Sequence, residues 1–325
     1  IMLDFLSDIL TNLSIKCTLY FRTSFSAPWG VAVPAYENVA RFHFAHRNDC
    51  LVKVDGVDDI VSLAQGDLII IPHGAAHKLF CSPDTIEDAL PLDTVLDKSG
   101  YTGNGVLVYG GEDSTRETEL ICGHFSLNPY AKHSMMSRLP PYIHLRNYGE
   151  VAGKWMEATL RMIGDEAGGA KMGGDLIALK MSEAIFAQAI RTFVEGNNAA
   201  QWGLAGFADP NLSRALSAFH NRPSKVWTVE ILAEKAGMSR TSFAVLFQKK
   251  MGMTPMHYVT TWRMELAKRE LADLGGSLTD AAERAGYASD SAFARAFKKE
   301  TGFTPAGFKK AYTMPLVQTS ERSAQ

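Results

Sequence analysis

An internal repeat in the second half of the chain restricts its fold more than any other feature of the sequence. Residues 229–239 are echoed by residues 278–289, and the repeat continues to the Thr-Pro pairs at 254–255 and 304–305. Aromatic, small and basic positions recur between the copies: Phe243, Ala244, Phe247, Lys249 and Gly252 return as Phe293, Ala294, Phe297, Lys299 and Gly302. Each copy has the pattern of a helix, a tight turn that contains glycine, and a second helix that a serine, Ser239 or Ser289, can cap. The sequence therefore predicts two helix-turn-helix units.

The segment between the two copies has a helical period of its own. Apolar residues recur at steps of three and four from Val259 to Leu274, which predicts one amphipathic helix of about five turns. Such a helix can hold the two second helices about 34 Å apart, so that one chain enters two successive segments of the DNA major groove.

The distribution of charge supports a nucleic-acid partner for the second half. Residues 1–209 carry 16 Lys and Arg against 25 Asp and Glu, a net charge of −9, whereas residues 210–325 carry 17 against 10, a net charge of +7. A basic half in an otherwise acidic chain is typical of a DNA-binding domain. The near-neutral total of −2 is therefore no objection to DNA binding.

The first half has β-type patterns followed by helical ones. Residues 15–125 contain short β-rich runs that Gly, Asp, Asn and Pro separate, which predicts a sandwich or barrel. Helical patterns at Trp155–Ile163 and Leu176–Val194 predict a hairpin of two helices. We expect a two-domain α+β chain with a β-barrel at 1–140, a helical hairpin and linker at 141–209, and an all-α double helix-turn-helix at 210–325. With no apolar run near 18 residues and no basic N-terminal region, we expect a cytoplasmic protein with no membrane contact.

The C-terminal residues resemble the AraC/XylS family of transcriptional regulators over about residues 210–312. The resemblance is carried by the residues at 227–230, 236–240, 247–255, 262–264, 285–287, 293–299 and 302–308. The first half resembles the cupin domain that precedes this unit in many members, through Gly66-x5-Pro72-x-Gly74-x2-His77 and the residues at 26–30 and 120–123. The resemblance implies a promoter-binding regulator with a cupin-like barrel, and it names neither an effector nor a target gene.

In this family the second helix of each unit lies in the major groove, which corresponds here to Ser239–Lys250 and Ser289–Glu300. The implied DNA-binding residues are Arg240, Thr241, Ser242, Ala244, Val245, Lys249, Ser289, Asp290, Ser291, Arg295, Lys298 and Lys299. Arg295 stands where family members carry a base-contacting arginine, and arginine can bond guanine O6 and N7. Val245 at the equivalent position departs from that pattern, and so does Asp290, because a carboxylate repels phosphate. The lysines are expected to contact phosphates, which position the protein without reading the sequence.

Cupin domains often hold a metal ion on a first motif, His-x-His-x3-Glu, and on the histidine of a second motif, which corresponds here to residues 66–77. Here His43 and His77 match, the second histidine is lost, and Asp49 replaces the glutamate. Histidine and cysteine ligands suit zinc and similar divalent metals. The resemblance therefore implies a zinc or other divalent-metal site at His43, His77 and Cys122, with Asp49 and His46 as alternates. The other interpretation is that His43 is a packed strand residue and that His77 caps a turn.

The expected role of the barrel follows from its aromatic and cysteine residues. Trp29, Phe42 and Phe44 are expected to line a small-molecule pocket, although each of them can equally be plain core. The four cysteines can form a thiol sensor or can be buried apolar residues. We expect a one-component regulator whose barrel senses a ligand or a metal. One alternative is a constitutive regulator with a structural barrel. A remote alternative is a metal-cupin enzyme, but the incomplete motif argues against it, so no enzyme activity is expected.

The predicted helical hairpin offers an apolar stripe. It consists of Ile185, Phe186, Ala187, Ile190 and Val194. The resemblance implies that such helices pair two copies of the chain, and the alternative is that the stripe packs against the flank of the barrel. The expected partners are therefore double-stranded promoter DNA, a small-molecule effector and a second copy, joined by RNA polymerase if the regulator is an activator.

Overall fold

The computed structural model describes residues 4–13, 15–103, 105–130, 133–146, 152–166 and 171–313. These residues divide into two compact units. The sheet unit comprises the described residues of 15–127 and 139–192, and the helical unit comprises those of 1–14, 128–138 and 193–319. The units do not follow the three consecutive ranges predicted from the sequence, because two short segments of the first half, at 4–13 and 128–138, pack into the helical unit.

Eleven strands lie in the described part of the sheet unit. They are β1 (Lys16–Ala27), β2 (Gly30–Val33), β3 (Val39–Arg47), β4 (Cys50–Val54), β5 (Ile60–Leu63), β6 (Leu68–Ile71), β7 (His77–Phe80), β8 (Leu90–Pro91), β9 (Val106–Gly110), β10 (Asp113–Ser126) and β11 (Ile143–Leu145). One sheet has the order β11-β6-β3-β10-β1-β9 and the other β5-β4-β7-β2-β8. The β-rich cupin-like prediction is confirmed, and the strands form two hydrogen-bonded sheets instead of one closed barrel.

Twelve α-helices lie in the described ranges. They are α1 (Phe5–Asn12), α2 (Leu92–Ser99), α3 (Ser134–Ser137), α4 (Ala152–Glu166), α5 (Gly174–Glu195), α6 (Pro210–Asn221), α7 (Val229–Ala236), α8 (Arg240–Met251), α9 (Pro255–Ala272), α10 (Leu278–Arg284), α11 (Asp290–Thr301) and α12 (Pro305–Thr313). Helices α4 and α5 match the two predicted helical segments of the hairpin. Across these ranges, none of the helices combines the length and apolar character that a bilayer crossing requires.

The main core of the sheet unit lies between its two sheets. Both sheets contribute to it: Phe25, Ile69, Leu107 and Leu120 come from one sheet, and Val31, Val52 and Leu79 from the other. Because side chains alternate along a strand, the six-stranded sheet has a second face. That face is also apolar, and Phe125 contacts Phe42 and Phe186 of α5 there, with ring centroids 5.0 and 4.5 Å apart.

Gly74, in the cupin-like motif at residues 66–77, is required because another backbone segment approaches it closely. Gly74 lies in the turn after β6 with φ 63°, and its carbonyl accepts a hydrogen bond of 2.9 Å from the amide of Tyr36. A Cβ atom at this position would lie 2.1 Å from the carbonyl oxygen of Tyr36. Since glycine alone has no Cβ, this turn tolerates no other residue. The turn leads directly into β7, which begins at His77.

The helical unit contains the two predicted helix-turn-helix pairs, α7–α8 and α10–α11, joined by α9. The predicted caps are confirmed: the Ser239 side chain accepts from the amide of Ser242, and that of Ser289 accepts from the amide of Ala292. Helix α9 has 18 residues, as its apolar period predicted. The aromatic repeat positions are buried cores, Phe243 and Phe247 in the first pair and Phe293 and Phe297 in the second.

Candidate nucleic-acid interface and cavity

The two second helices, α8 and α11, present equivalent positions to solvent. Most of the predicted DNA-binding side chains are exposed: Arg240, Thr241, Ser242, Val245, Lys249, Ser289, Ser291, Arg295, Lys298 and Lys299. Ala244 and Asp290 are half-buried. Each helix therefore turns one face to its own core and leaves the other accessible, as a helix in a major groove must.

One accessible residue of α8 escaped the sequence analysis. Gln248 is exposed and lies three residues after Val245, on the same face of the helix. The repeat pairs Gln248 with Lys298 at the offset of 50 residues, and this signal could have found it.

The first residue of each second helix contacts the preceding helix. Arg240 forms an ion pair with Glu230, and at the equivalent place Thr279 donates to the carboxylate of Asp290 at 3.0 Å. Asp290 also lies in the first turn of α11, where the helix dipole favours a negative charge. The unexpected carboxylate at Asp290 thus has a structural partner within its own unit.

The basic residues at the end of α8 have different environments. Lys249 is exposed, whereas the Lys250 ammonium lies 2.6 Å from the carboxylate of Asp209, which caps α6. Burial raises the pKa of Asp209, but hydrogen bonds from Lys250 and from two backbone amides bring that pKa below its ordinary value. Lys250 is therefore part of a structural ion pair, while Lys249, Lys298 and Lys299 remain accessible.

A small cavity, with about 20 Å³ of space for the centre of a water molecule, lies within the sheet unit. Its lining is mostly apolar, with a few polar groups: Phe25, Val31, Val33, Leu79, Leu92 and Gly123, with Thr23, Arg41, His43 and Cys122. The strands β1, β2, β3, β7 and β10 supply most of these side chains. In composition, this lining resembles that of small-ligand sites, which are apolar with a few polar groups in the wall.

A chain of hydrogen bonds runs along one wall of this cavity. The Nδ1 atom of His77 donates to the carbonyl oxygen of Ala75 at 2.9 Å, so its Nε2 atom accepts from His43 Nε2 at 2.8 Å. The Nδ1 atom of His43 is then free to accept from the Cys122 thiol, whose sulfur lies 3.1 Å away. Burial lowers the pKa of His77 to about 4 and that of His43 well below 6.5, and it raises the pKa of Cys122 to about 12. All three groups are consequently neutral at pH 7.

The predicted metal ligands meet but do not converge on one point. Both ring nitrogens of His43 face a neighbouring side chain, so His77 and Cys122 lie on opposite sides of its ring. Of the alternates, Asp49 is exposed in the turn between β3 and β4, and His46 lies three positions from His43, on the other face of β3. Within the described part of the chain, no three His, Cys, Asp or Glu side chains are arranged to hold a metal ion. The observed positions of His43, His77 and Cys122 do not fit the metal site predicted from the sequence, and that site stays a prediction.

The three aromatic residues predicted to line a pocket lie outside this cavity. Phe42 and Phe44 flank His43 in β3 and therefore point away from the cavity, to the face that α5 covers. Trp29 packs behind Phe25 in the core, with ring centroids 4.9 Å apart. None of the three lines the cavity; for Phe42 and Phe44 the reason is that neighbours of His43 in a strand point to the opposite face.

The cysteines behave as buried thiols. All four are free, and Cys17, Cys50 and Cys122 are buried. Burial raises the pKa of Cys17 to about 12, and the Cys81 sulfur accepts from the amide of Trp29 at 3.3 Å. Protonated, enclosed thiols are poor nucleophiles, so the structure favours the packing role over the thiol sensor.

The apolar stripe predicted for subunit pairing is mostly buried within one chain. Ile185, Phe186, Ile190 and Val194 are at most 6% exposed, and Ile185 and Phe186 pack against the outer face of the six-stranded sheet. The alternative expectation, packing on the flank of the sheets, is the one that the structure supports for these two residues. Among the described side chains of α4 and α5, the large exposed apolar ones are instead Trp155, Met162, Leu176 and Ile177.

Comparison with known proteins identifies both parts of the chain. The family profile described as "Cupin" matches residues 4–195, and the profile described as "Helix-turn-helix domain" matches residues 232–311. AraC-like transcription regulators of Streptomyces lividans and Streptomyces antibioticus are each 31% identical to this chain over 96% of its length and 100% of their own. A solved structure of the DNA-binding domain of AdpA with a target DNA is 30% identical, covers 32% of this chain and 93% of its own, and has a TM-score of 0.31. The chain therefore belongs to the AraC-like family of transcriptional regulators, with a cupin region followed by a helix-turn-helix DNA-binding domain.

Proposed function

We propose that a small molecule bound in the cavity of the sheet unit controls how this regulator binds its promoter DNA. The observation that carries the proposal is the composition of the cavity wall: it is mostly apolar, with Arg41, His43 and Cys122 among its residues. In this proposal the cupin region senses and does not catalyse. The two full-length relatives with 31% identity are named transcription regulators, which supports that choice over a metal-cupin enzyme.

The polar groups of the wall indicate the chemistry of the effector. Arg41 is 3% exposed, and its positive charge adds to burial in lowering the pKa values of His43 and His77. The cavity wall therefore carries a permanent positive charge beside neutral imidazoles. We expect an effector that combines an anionic or electronegative group with a compact apolar body.

A cavity-filling variant tests this assignment. Leu79→Trp places a large ring at the cavity wall, and Ile60→Trp makes the same change at a position that is 45% exposed. A library of small organic acids and their neutral analogues is screened for a rise in melting temperature and a change in DNA affinity. We expect a hit that acts on the wild type and Ile60→Trp but not on Leu79→Trp. A hit that acts equally on all three proteins would overturn the cavity assignment. A library without effect would favour the alternative, a constitutive regulator.

The DNA side of the proposal places α8 and α11 in two successive major-groove segments. We infer that Arg295 reads a guanine, that Val245 and Ala244 meet thymine methyl groups, and that the exposed lysines contact phosphates. The accessibility of Arg295 and Val245, the latter 64% exposed, supports this inference.

We also infer that two copies pair through the exposed apolar side chains of α4 and α5. Trp155, Met162, Leu176 and Ile177 are 47–62% exposed, and exposed apolar side chains on neighbouring helices often mark partner surfaces. Light scattering at micromolar concentration should give a dimer, and Met162→Glu with Leu176→Glu should give a monomer. A monomeric wild type would refute the pairing. Contact with RNA polymerase enters the proposal only for activation, which a promoter-reporter assay distinguishes from repression.

A further inference from the structure

One segment contacts both joints of the double helix-turn-helix. We call the described residues of 128–138 the strap: they follow β10 directly in the sequence, yet they belong to the helical unit. The first joint, residues 252–254, connects α8 to α9, and the second, residues 273–277, connects α9 to α10. A segment that touches both joints can influence how the two helix pairs are held on α9.

At the second joint the strap is held by Tyr130 and Asn128. Both donate to the carboxylate of Asp273, the residue that directly follows α9 and caps it, with 3.3 Å for the bond from Asn128. The Tyr130 ring is buried in the core of the second helix pair, edge-on to Phe308 with ring centroids 5.6 Å apart. The backbone carbonyl oxygen of Tyr130 accepts a hydrogen bond from the buried ammonium of Lys268 at 2.6 Å.

At the first joint the strap is held by Arg138. Its guanidinium donates to the carbonyl oxygen of Met251, the last residue of α8, and to that of Gly203 at 3.4 Å. The last carbonyls of a helix have no partner within the helix, and a cation beside them is favoured by the helix dipole. Arg138 therefore fixes the C-terminal end of the helix that carries Val245.

Between these two points the strap is anchored to α9 through His133. A strap amide donates to His133 Nδ1, so its Nε2 atom donates to the hydroxyl of Tyr258 at 3.4 Å. Tyr258 then donates to His220 Nε2 at 2.8 Å, and His220 Nδ1 donates to the carboxylate of Asp8 in α1, also at 2.8 Å. The His133 ring is 2% exposed and stands edge-on to Trp262. The middle of the strap is thus fixed by a buried, directional chain of hydrogen bonds.

We propose that the strap sets the spacing and relative rotation of α8 and α11, with Arg138 and Tyr130 as positioning residues. One base pair more or less between two half-sites shifts the second by about 3.4 Å and turns it by about a tenth of a helical turn. Two helix pairs braced at both joints should tolerate that change poorly. Without the brace, rotation about the two joints should absorb it. The proposal concerns the helical unit alone and requires no effector.

The test measures tolerance to half-site spacing. The full chain first selects a duplex from a random library, and binding is then measured on that duplex and on versions whose spacer is one base pair shorter or longer. For the wild type we expect the altered spacers to weaken binding by at least about tenfold, comparable to a mismatch. The spacing ratio is the Kd on an altered-spacer duplex divided by the Kd on the selected duplex. For Arg138→Ala combined with Tyr130→Phe, we expect this ratio to fall below about threefold. Arg138→Lys with native Tyr130 should restore it in part.

Arg214→Ala is the matched control. The Arg214 guanidinium donates to the carbonyl oxygen of Ala236 at the end of α7, at 2.8 Å, so its loss removes a similar helix cap outside the strap. We expect this variant to keep the wild-type spacing ratio. If the strap variants lose affinity by the same factor on all three duplexes, their role is structural only and the proposal is wrong. Should the double variant fail to fold, Tyr130→Phe, which keeps the buried ring, is measured alone, and an unchanged spacing ratio in that variant would equally refute the proposal.

Discussion

Replacing Arg295 with alanine should remove one base contact and leave the fold of the helical unit intact. Arg295 is exposed on α11, and within the described ranges no hydrogen bond or ion pair holds it. An exposed substitution of this kind usually changes the free energy of unfolding by less than about 0.5 kcal/mol. A guanidinium bonded to guanine O6 and N7 contributes about 1–3 kcal/mol of discrimination, which corresponds to a Kd about 5–150-fold weaker.

Arg240 in the first helix pair provides an internal comparison. Its guanidinium already forms an ion pair with Glu230, and both side chains are exposed. Breaking an exposed pair costs up to about 1 kcal/mol, and a base contact by Arg240 must offset that cost. Arg240→Ala should therefore weaken binding less than Arg295→Ala does, and the two losses should differ by up to about 1 kcal/mol.

The assay is fluorescence anisotropy on the selected duplex and on duplexes with each base-pair substitution in the two half-sites. Arg295→Ala should weaken binding and relax the base preference at one position, which lies in the half-site of α11. Thermal unfolding of the variant shows whether the helical unit is intact. If a folded Arg295→Ala protein keeps both the wild-type Kd and the wild-type base preference, Arg295 does not read DNA.

Three other changes probe the phosphate contacts, the cavity wall and the core of the helical unit. Lys298→Ala should weaken binding to all duplexes alike and reduce the slope of log Kd against log salt by about one, and a base-selective loss would contradict the phosphate assignment. Because burial lowers the pKa of His77 to about 4, the unfolded chain takes up a proton at higher pH than the folded one. Stability of the sheet unit should thus be full above about pH 6.5 and should fall between that pH and pH 4, and urea unfolding of His77→Gln should show a shallower decline. Asp8→Ala leaves the buried His220 Nδ1–H without its acceptor and should destabilise the helical unit by about 1–3 kcal/mol; an unchanged urea midpoint would show that α1 is not part of this unit.

Features that depend on neighbouring residues were predictable from the sequence. The caps at Ser239 and Ser289 and the length of α9 follow from local patterns, because a cap or an amphipathic period acts within a few residues. The motif turn at Gly74 was also recognisable, although its reason, the approach of the Tyr36 carbonyl, needed the structure.

Features that depend on long-range packing were not predictable in the same way. The direct contact between His43 and Cys122 joins residues 79 positions apart, and the spacing of a motif does not show whether such groups converge or form a chain. The alternation along β3, however, was available from the sequence and excludes a shared wall for Phe42 and His43. The transfer of α1 and the strap to the helical unit left no local signal, since their contacts span more than a hundred residues, 212 for Asp8 with His220 and 113 for Arg138 with Met251.

The two proposals are connected by the continuity of the chain. Thr23 and Phe25 of β1 and Cys122 of β10 line the cavity, and these two strands pair with each other down to Lys16 and Ser126. Just before Lys16 the chain leaves α1, and just after Ser126 it enters the strap, and both segments belong to the helical unit. A ligand that displaces β1 or β10 therefore acts on strands whose covalent continuations are anchored within the helical unit, by Asp8 to His220 of α6 and by His133 and Tyr130 to α9. We expect an effector found in the cavity screen to change the half-site spacing ratio, and the variant that loosens the strap to lose this response even while the effector still raises its melting temperature.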